Sequence, residues 1–214
     1  GVGGSSHSMI SRKNGLIGDT VARVLQDPEG NIWIGQSGGV SKLQQNYKAF
    51  QTFTADSQAG ERPVLPSAGV RTVRVLDNPV PGSMWVGTNK GLVVRTPDGK
   101  ADFVDSADGI KDPNVWIQCS DQQGRLWFNA SSVIGVLTFA GMDKPKGFKE
   151  HRQIKISGET ATLSSRDWAG PRGYSCTSFL LGGSQASEPA REAMCFSGAR
   201  HVECWSDDGA WTIL

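Results

Sequence analysis

The feature that most restricts what this chain can fold into is a repeated hairpin. Three segments align: Val24-Leu-Gln-Asp-Pro-Glu-Gly-Asn-Ile-Trp33, Val75-Leu-Asp-Asn-Pro-Val-Pro-Gly-Ser-Met-Trp85 and Ile117-Gln-Cys-Ser-Asp-Gln-Gln-Gly-Arg-Leu-Trp127. Each reads as an apolar strand, a turn rich in Asp, Asn, Pro and Gly, and a second strand carrying Trp. Gly supplies the positive φ such a turn requires, and Asp can bond its own backbone. The flanks repeat as well. Asn14-Gly-Leu and Asp108-Gly-Ile precede the hairpin, Gly38-Gly-Val and Gly91-Leu-Val follow it, and further strands are expected at 49–54 and 101–104. One unit is therefore four short strands in a meander.

The tail continues the pattern, since His201-Val-Glu-Cys-Trp-Ser-Asp-Asp-Gly-Ala-Trp211 is again strand, turn and Trp strand. Trp33, Trp85, Trp127, Trp168 and Trp211 are separated by steps of 52, 42, 41 and 43 residues, the first holding a loop insertion at 57–66. A four-stranded unit of this length matches a β-propeller blade, which needs neighbours to bury its faces. The expectation is an all-β propeller of about five repeats over residues 10–214, with residues 1–9 a flexible terminus or cloning remnant. The stretch from Ser8 to Lys13 could supply an outer strand to the last unit and close the ring. A fragment of a larger ring is the alternative. The Trp at a fixed place in each unit is expected to pack against the next blade, with Trp205 packing on the strand before the last turn.

Composition agrees with this reading. The 27 Gly and 7 Trp in 214 residues leave little room for long helices, and 22 basic against 21 acidic residues argue against general nucleic-acid binding. No apolar run approaches the roughly 20 residues of a membrane span. Cys119, Cys176, Cys195 and Cys204 lack metal-site spacing. Cys176–Cys195 or Cys195–Cys204 could pair in an exported protein; buried thiols are the other reading. No cofactor is expected.

The stretch from Asp27 through Trp33-Ile-Gly to Leu43 resembles the two-component regulator propeller repeat, as do Trp85-Val-Gly-Thr-Asn-Lys-Gly-Leu92 and Asp121-Gln-Gln-Gly-Arg-Leu-Trp127. The resemblance spans about residues 14–139. It implies rings often of seven blades, serving as extracytoplasmic ligand-sensing regions of bacterial regulators, many responsive to carbohydrates. This sequence holds fewer repeats, and no kinase, membrane span or DNA-binding region lies within it. What the resemblance carries over is the fold and a tendency to bind ligands at one end of the ring, in the periplasm or outside the cell. The hairpins also resemble the Asp-box of sialidase-like propellers, a structural motif, although the Asp in Ser120-Asp121-Gln-Gln-Gly124-Arg-Leu-Trp127 is one residue out of place.

Chemistry-bearing residues are sparse. His7, His151 and His201 are the only histidines, with His151 in an expected charged loop and His201 two residues from Glu203. A His201/Glu203 pair could do acid–base work, although a surface pair is the commoner outcome. Binding candidates come from places where one unit breaks the pattern. Trp116 is an extra aromatic at the start of an inner strand and could stack on a sugar. Arg23 and Arg74 are read as matching positions on adjacent units, where two guanidiniums could meet an anion near the axis; Glu203 holds the corresponding place in the last unit. The insertions at 57–66 and 182–191 could carry function. The reading favours a non-enzymatic propeller that binds a small molecule or glycan. The alternatives are a protein-interaction scaffold or homo-oligomer, and a propeller hydrolase or lyase.

Overall fold

The computed structural model describes residues 9–44, 50–55, 64–130, 133–167, 176–181, 191–197, 202–206 and 209–213. Among them the regular structure is almost wholly β, in four antiparallel sheets. The first holds β1 (Val21–Gln26), β2 (Ile32–Gln36), β3 (Gly39–Leu43) and β4 (Phe50–Thr54) in chain order. The second holds β5 (Val70–Leu76), β6 (Ser83–Thr88), β7 (Gly91–Arg95) and β8 (Ala101–Val104), likewise a meander.

The third sheet begins with β9 (Val115–Ser120), β10 (Leu126–Ala130) and β11 (Val133–Phe139). The hairpin of β12 (Lys149–Ile156) and β13 (Glu159–Asp167) then extends it, in the order β9-β10-β11-β13-β12. The fourth contains β14 (Cys176–Leu181), β15 (Arg191–Ser197), β16 (Val202–Ser206) and β17 (Gly209–Ile213).

The turn chemistry explains why the hairpins form. Gly30 and Gly124 sit at φ 83° and 80°, a left-handed conformation that costs a side-chain-bearing residue energy and Gly almost none. In both turns the Gly N–H donates to the carbonyl of the turn Asp, Asp27 or Asp121, at 2.9 Å. The same Asp has a second task. Its carboxylate accepts the indole N–H six residues on, from Trp33 to Asp27 and from Trp127 to Asp121, each at 2.7 Å. In the longer turn of the second sheet the Trp85 indole donates to the Asn78 carbonyl instead, at 2.7 Å. Turn and Trp are one device: the polar end of each indole is satisfied by its own hairpin while the ring is free to pack.

The rings pack between sheets, as the repeat implies. Trp33 joins Val73, Met84, Val86 and Val93 of the second sheet. Trp85 packs with Ile117, Phe128 and Phe139 of the third. Trp127 meets Trp205 of the fourth, with ring centroids 6.3 Å apart. Gly87 permits close approach, because a Cβ there would lie 2.5 Å from the Val115 carbonyl oxygen. The inner strands β1, β5, β9 and β14 each contact the next. Contacts between β5 and β9 advance in one direction, from Arg71–Asn114 through Thr72–Ile117 to Arg74–Gln118. These two strands therefore run parallel, each starting its own blade.

The four-stranded blade architecture is the one expected, but the division of the chain changes after Val133. The unit placed around Trp168 is not a sheet of its own: residues 149–167 lengthen the third blade, because β13 pairs with the whole of β11, from Val133–Asp167 to Phe139–Ala161. Trp168 itself lies outside the described residues. The Trp211 hairpin is the outer half of the fourth blade, not its inner half, since β16 and β17 are its third and fourth strands. That blade has four strands of its own. Residues 12–14, offered as part of an outer strand for it, form a 3-10 turn.

Cys195 and Cys204 stand directly opposite each other on β15 and β16 and form a disulfide; Cys119 is a free thiol. The bridge lies in the one sheet whose second strand carries no Trp.

Candidate functional site

The two ends of the blades differ in chemistry. At the hairpin end, a groove of about 800 Å³ lies between the first and second blades, with Ser120 of the third at its margin. That volume is in the range of small-molecule sites. At the corresponding place between the second and third blades, Phe139, Ile154 and Ile156 from the long β11 and the added β12 pack against Trp85. The second blade, which faces Trp33, has no such extension, which leaves the space beside Trp33 open.

The floor of the groove is ordered. Trp33 and Phe53 stack with centroids 5.8 Å apart and planes 19° from parallel. The Lys42 ammonium sits 4.7 Å from the Trp33 ring, and the Arg95 guanidinium 5.2 Å from Phe53. Cation–π contact of this kind holds long side chains in place. Register explains the arrangement: Lys42 lies opposite both Trp33 and Gln51, so the three share one face of the first blade.

Asp27 lies beside this floor and is buried. Burial pushes its carboxyl up, but the bonds from Trp33 and Asn31, with the charge of Lys42, outweigh that and hold it below the ordinary value of 3.8. Asn31 supplies both its backbone N–H at 2.7 Å and its side-chain amide. Glu29 and Asp77 stand at the rim, so the lining sets three carboxylates against two cations, with Asn31, Gln51, Thr96 and Ser120 between them. Dense donors and acceptors with little net charge suit a neutral, hydroxyl-rich ligand better than an ion.

The residues singled out from sequence do not assemble into one site. Trp116 is half-buried at the opposite end of the blades, near the start of β9, beneath the Arg71 guanidinium at 5.4 Å. Arg74 lies further along β5, and its Nη2 donates to the Gln118 carbonyl at 2.8 Å, tying two blades together. Arg23 is exposed on β1. The two arginines are not equivalent. Arg23 pairs with Gly35, two residues past Trp33, whereas Arg74 pairs with Trp85 itself. By register the counterparts of Arg23 are Thr72 and Trp116, opposite Gly87 and Asn129. Glu203 lies on β16, a third strand, opposite Thr212, and so is not on an inner strand.

His7 and His201 lie outside the described residues. His151 falls within β12, where a loop was expected. Of the two insertions, 56–63 and 182–190 lie outside the described residues. Lys42, Arg95 and Arg71 were missed. The pairing of Lys42 with Trp33 was open to inference from hairpin register, but the positions of Arg95 and Arg71 depend on packing between blades.

Comparison with known proteins agrees with this geometry. The family model of the two component regulator propeller matches residues 15–38, the segment from the Asn-Gly-Leu flank through the first Trp hairpin. No curated protein matches the chain significantly. Among solved structures, the fold is similar to the extracellular domain of the hybrid two component system BT3049 from B. thetaiotaomicron. The TM-score is 0.50 at 16% identity, over 97% of this chain and 36% of that one. The extracellular domain of the one component system BT4673 from the same organism scores 0.48 at 12% identity, over 97% of this chain and 31% of that one. The chain thus spans about a third of the length of these solved proteins. Residues 15–38 thus match the two component regulator propeller model, and they lie in an array of antiparallel sheets whose fold is similar to that of an extracellular two component system domain.

Proposed function

We propose that this chain is part of an extracytoplasmic sensor propeller, and that it binds a neutral carbohydrate or a similar hydroxyl-rich small molecule at the hairpin end. The groove between the first two blades carries the proposal: an ordered floor, Lys42 and Arg95 fixed over aromatic rings, and carboxylates alternating with amides and hydroxyls. Sugar hydroxyls both donate and accept, so a lining with both capacities and nearly balanced charge suits them. The family match and the extracellular setting of BT3049 support the sensor role and the compartment. The Cys195–Cys204 bridge fits an oxidising compartment. No helix among the described residues is long and apolar enough to cross a membrane.

The test is a neutral-glycan array followed by calorimetry on any glycan retained. Retention that is lost in Lys42→Ala or Gln51→Ala but kept in Trp116→Ala supports the groove. Retention lost only in Trp116→Ala moves the site to the other end.

A second reading is association with another copy of the chain, and the exposed face of β1 favours it. Val21 and Val24 on this leading inner strand are 46% and 55% exposed, while β5 and β9 each lie between two other inner strands. A concentration-dependent dimer in light scattering that Val24→Lys abolishes would establish that reading.

A further inference from the structure

We infer that Arg71, seated on Trp116, forms a carboxylate-binding position at the strand-start end of the blades, opposite the groove and independent of it. The position originates in a backbone irregularity. The β5–β6 register shifts between Val70 and Thr72, leaving Arg71 as the extra residue of a β-bulge. The first blade has the same bulge between Val21 and Arg23, with Ala22 as the extra residue. In the third blade the shift falls further along, at Gln118, so Trp116 stays in register opposite Asn129. A bulge re-aims the side chain it carries. Here it sends a guanidinium across to the next blade.

What Arg71 meets there leaves its chemistry open. Its Nε donates to the Asn114 side-chain oxygen at 3.0 Å, and its charge rests 5.4 Å from the centre of the Trp116 ring. Its two terminal nitrogens make no hydrogen bond or ion pair with the described residues. The nearby carboxylate of Asp112 is turned into its own loop, accepting the Asn114 backbone N–H at 2.9 Å. Elsewhere the exposed Arg12 and Arg152 and the buried Arg125 all lie against carboxylates.

Arg71 and Trp116 are both only half-buried, so solvent and solutes reach them. The ring and Asn114 restrict the side chain before any ligand arrives, which lowers the ordering cost of binding. Two parallel N–H donors on the free edge of a planar guanidinium match the two oxygens of a carboxylate.

The experiment is a ¹H–¹⁵N titration of the whole chain with succinate, and with succinamide as its uncharged counterpart, following the Arg71 Nε–H and Trp116 indole N–H signals. Succinate should shift both signals, succinamide neither, and the shifts should weaken with added salt. Arg71→Gln should weaken succinate binding about tenfold or more. Trp116→Phe, which keeps an aromatic seat, should change it less.

Four outcomes overturn the proposal: equal shifts from succinamide, unchanged binding in Arg71→Gln, equal binding of inorganic phosphate, or no shift at either signal with succinate in large excess. None of them bears on the groove, whose residues lie at the other end.

Discussion

Replacing Asp121 tests whether the turn carboxylate and the Trp behind it work as one unit. The Asp121 carboxylate accepts three hydrogen bonds: from the Arg125 backbone N–H at 2.9 Å, from Arg125 Nε at 2.5 Å and from the Trp127 indole at 2.7 Å. Its side chain is fully buried, and that of Arg125 is 6% exposed. Asp121→Ala therefore strands a buried guanidinium and a buried indole N–H together. Breaking a buried ion pair from one side costs about 3–5 kcal/mol, and an unsatisfied N–H about 1–3 kcal/mol. Arg125 keeps its bond to the Asp143 carbonyl at 3.2 Å, which recovers part of the loss.

The expected destabilisation is thus about 3–5 kcal/mol, or roughly 10 °C in Tm for a chain of this size. Asp27→Ala strands Trp33 and Asn31 but breaks no direct ion pair, so it should cost less, about 1–3 kcal/mol. Urea and thermal unfolding followed by circular dichroism would measure both. The double variant Asp121→Ala/Arg125→Met removes the stranded charge and should be more stable than Asp121→Ala alone. The reasoning fails if Asp121→Ala lies within about 0.5 kcal/mol of the parent, the ordinary range for a surface change. It also fails if the double variant is the less stable of the two.

Three further outcomes follow from the same structure. Trp85→Ala, at a fully buried ring in the core between the second and third blades, should cost about 3–5 kcal/mol in urea unfolding; a loss under about 1 kcal/mol would deny it that packing role. The Lys100 and Thr96 partners of Asp98 hold its carboxyl down to about 2, so carboxyl NMR should show it titrating well below the ordinary aspartate value, and a midpoint near 3.8 would contradict the contact. Because the folded value is the lower one, the stabilisation from Asp98 is present above its ordinary pKa and is lost as pH falls through about 2; its exposure keeps it small. Reducing the Cys195–Cys204 bridge, which spans nine residues of sequence, should lower stability by about 2–3 kcal/mol, with faster amide exchange in β15 and β16 than elsewhere; uniform exchange would show that the bridge does not hold that blade.

What could be read in the sequence was what local chemistry determines. The turn glycines, the alternating strands and the Trp period define the first two blades closely, because each hairpin is built from contiguous residues. The inter-blade role of Trp33, Trp85 and Trp127 was legible for the same reason. After Val133 the period misleads. Residues 149–167 also form a hairpin, and pairing with β11 rather than a new inner strand is a tertiary choice that no local pattern reports.

Register was the other hidden variable. A bulge at position 22, 71 or 118 leaves no mark in composition, yet its different place in the third blade changes which side chains line up across blades. Arg-Val-Leu at 23–25 and at 74–76 look equivalent in sequence, but pairing with the Trp strand sets them two positions out of step. The groove was illegible for a simpler reason. It exists because the second blade lacks the extension with which the third fills the same space beside Trp85, and an absence at one place becomes visible only when blades are compared in space.

The central claim is that the space beside Trp33 receives a ligand. A neutral-glycan array probed with the parent chain and with Lys42→Ala tests it most directly. The account predicts a retained neutral glycan whose binding falls at least tenfold in Lys42→Ala, with the thermal stability of the variant little changed. Retention that Lys42→Ala leaves intact, or an array on which no neutral glycan is retained, would contradict it.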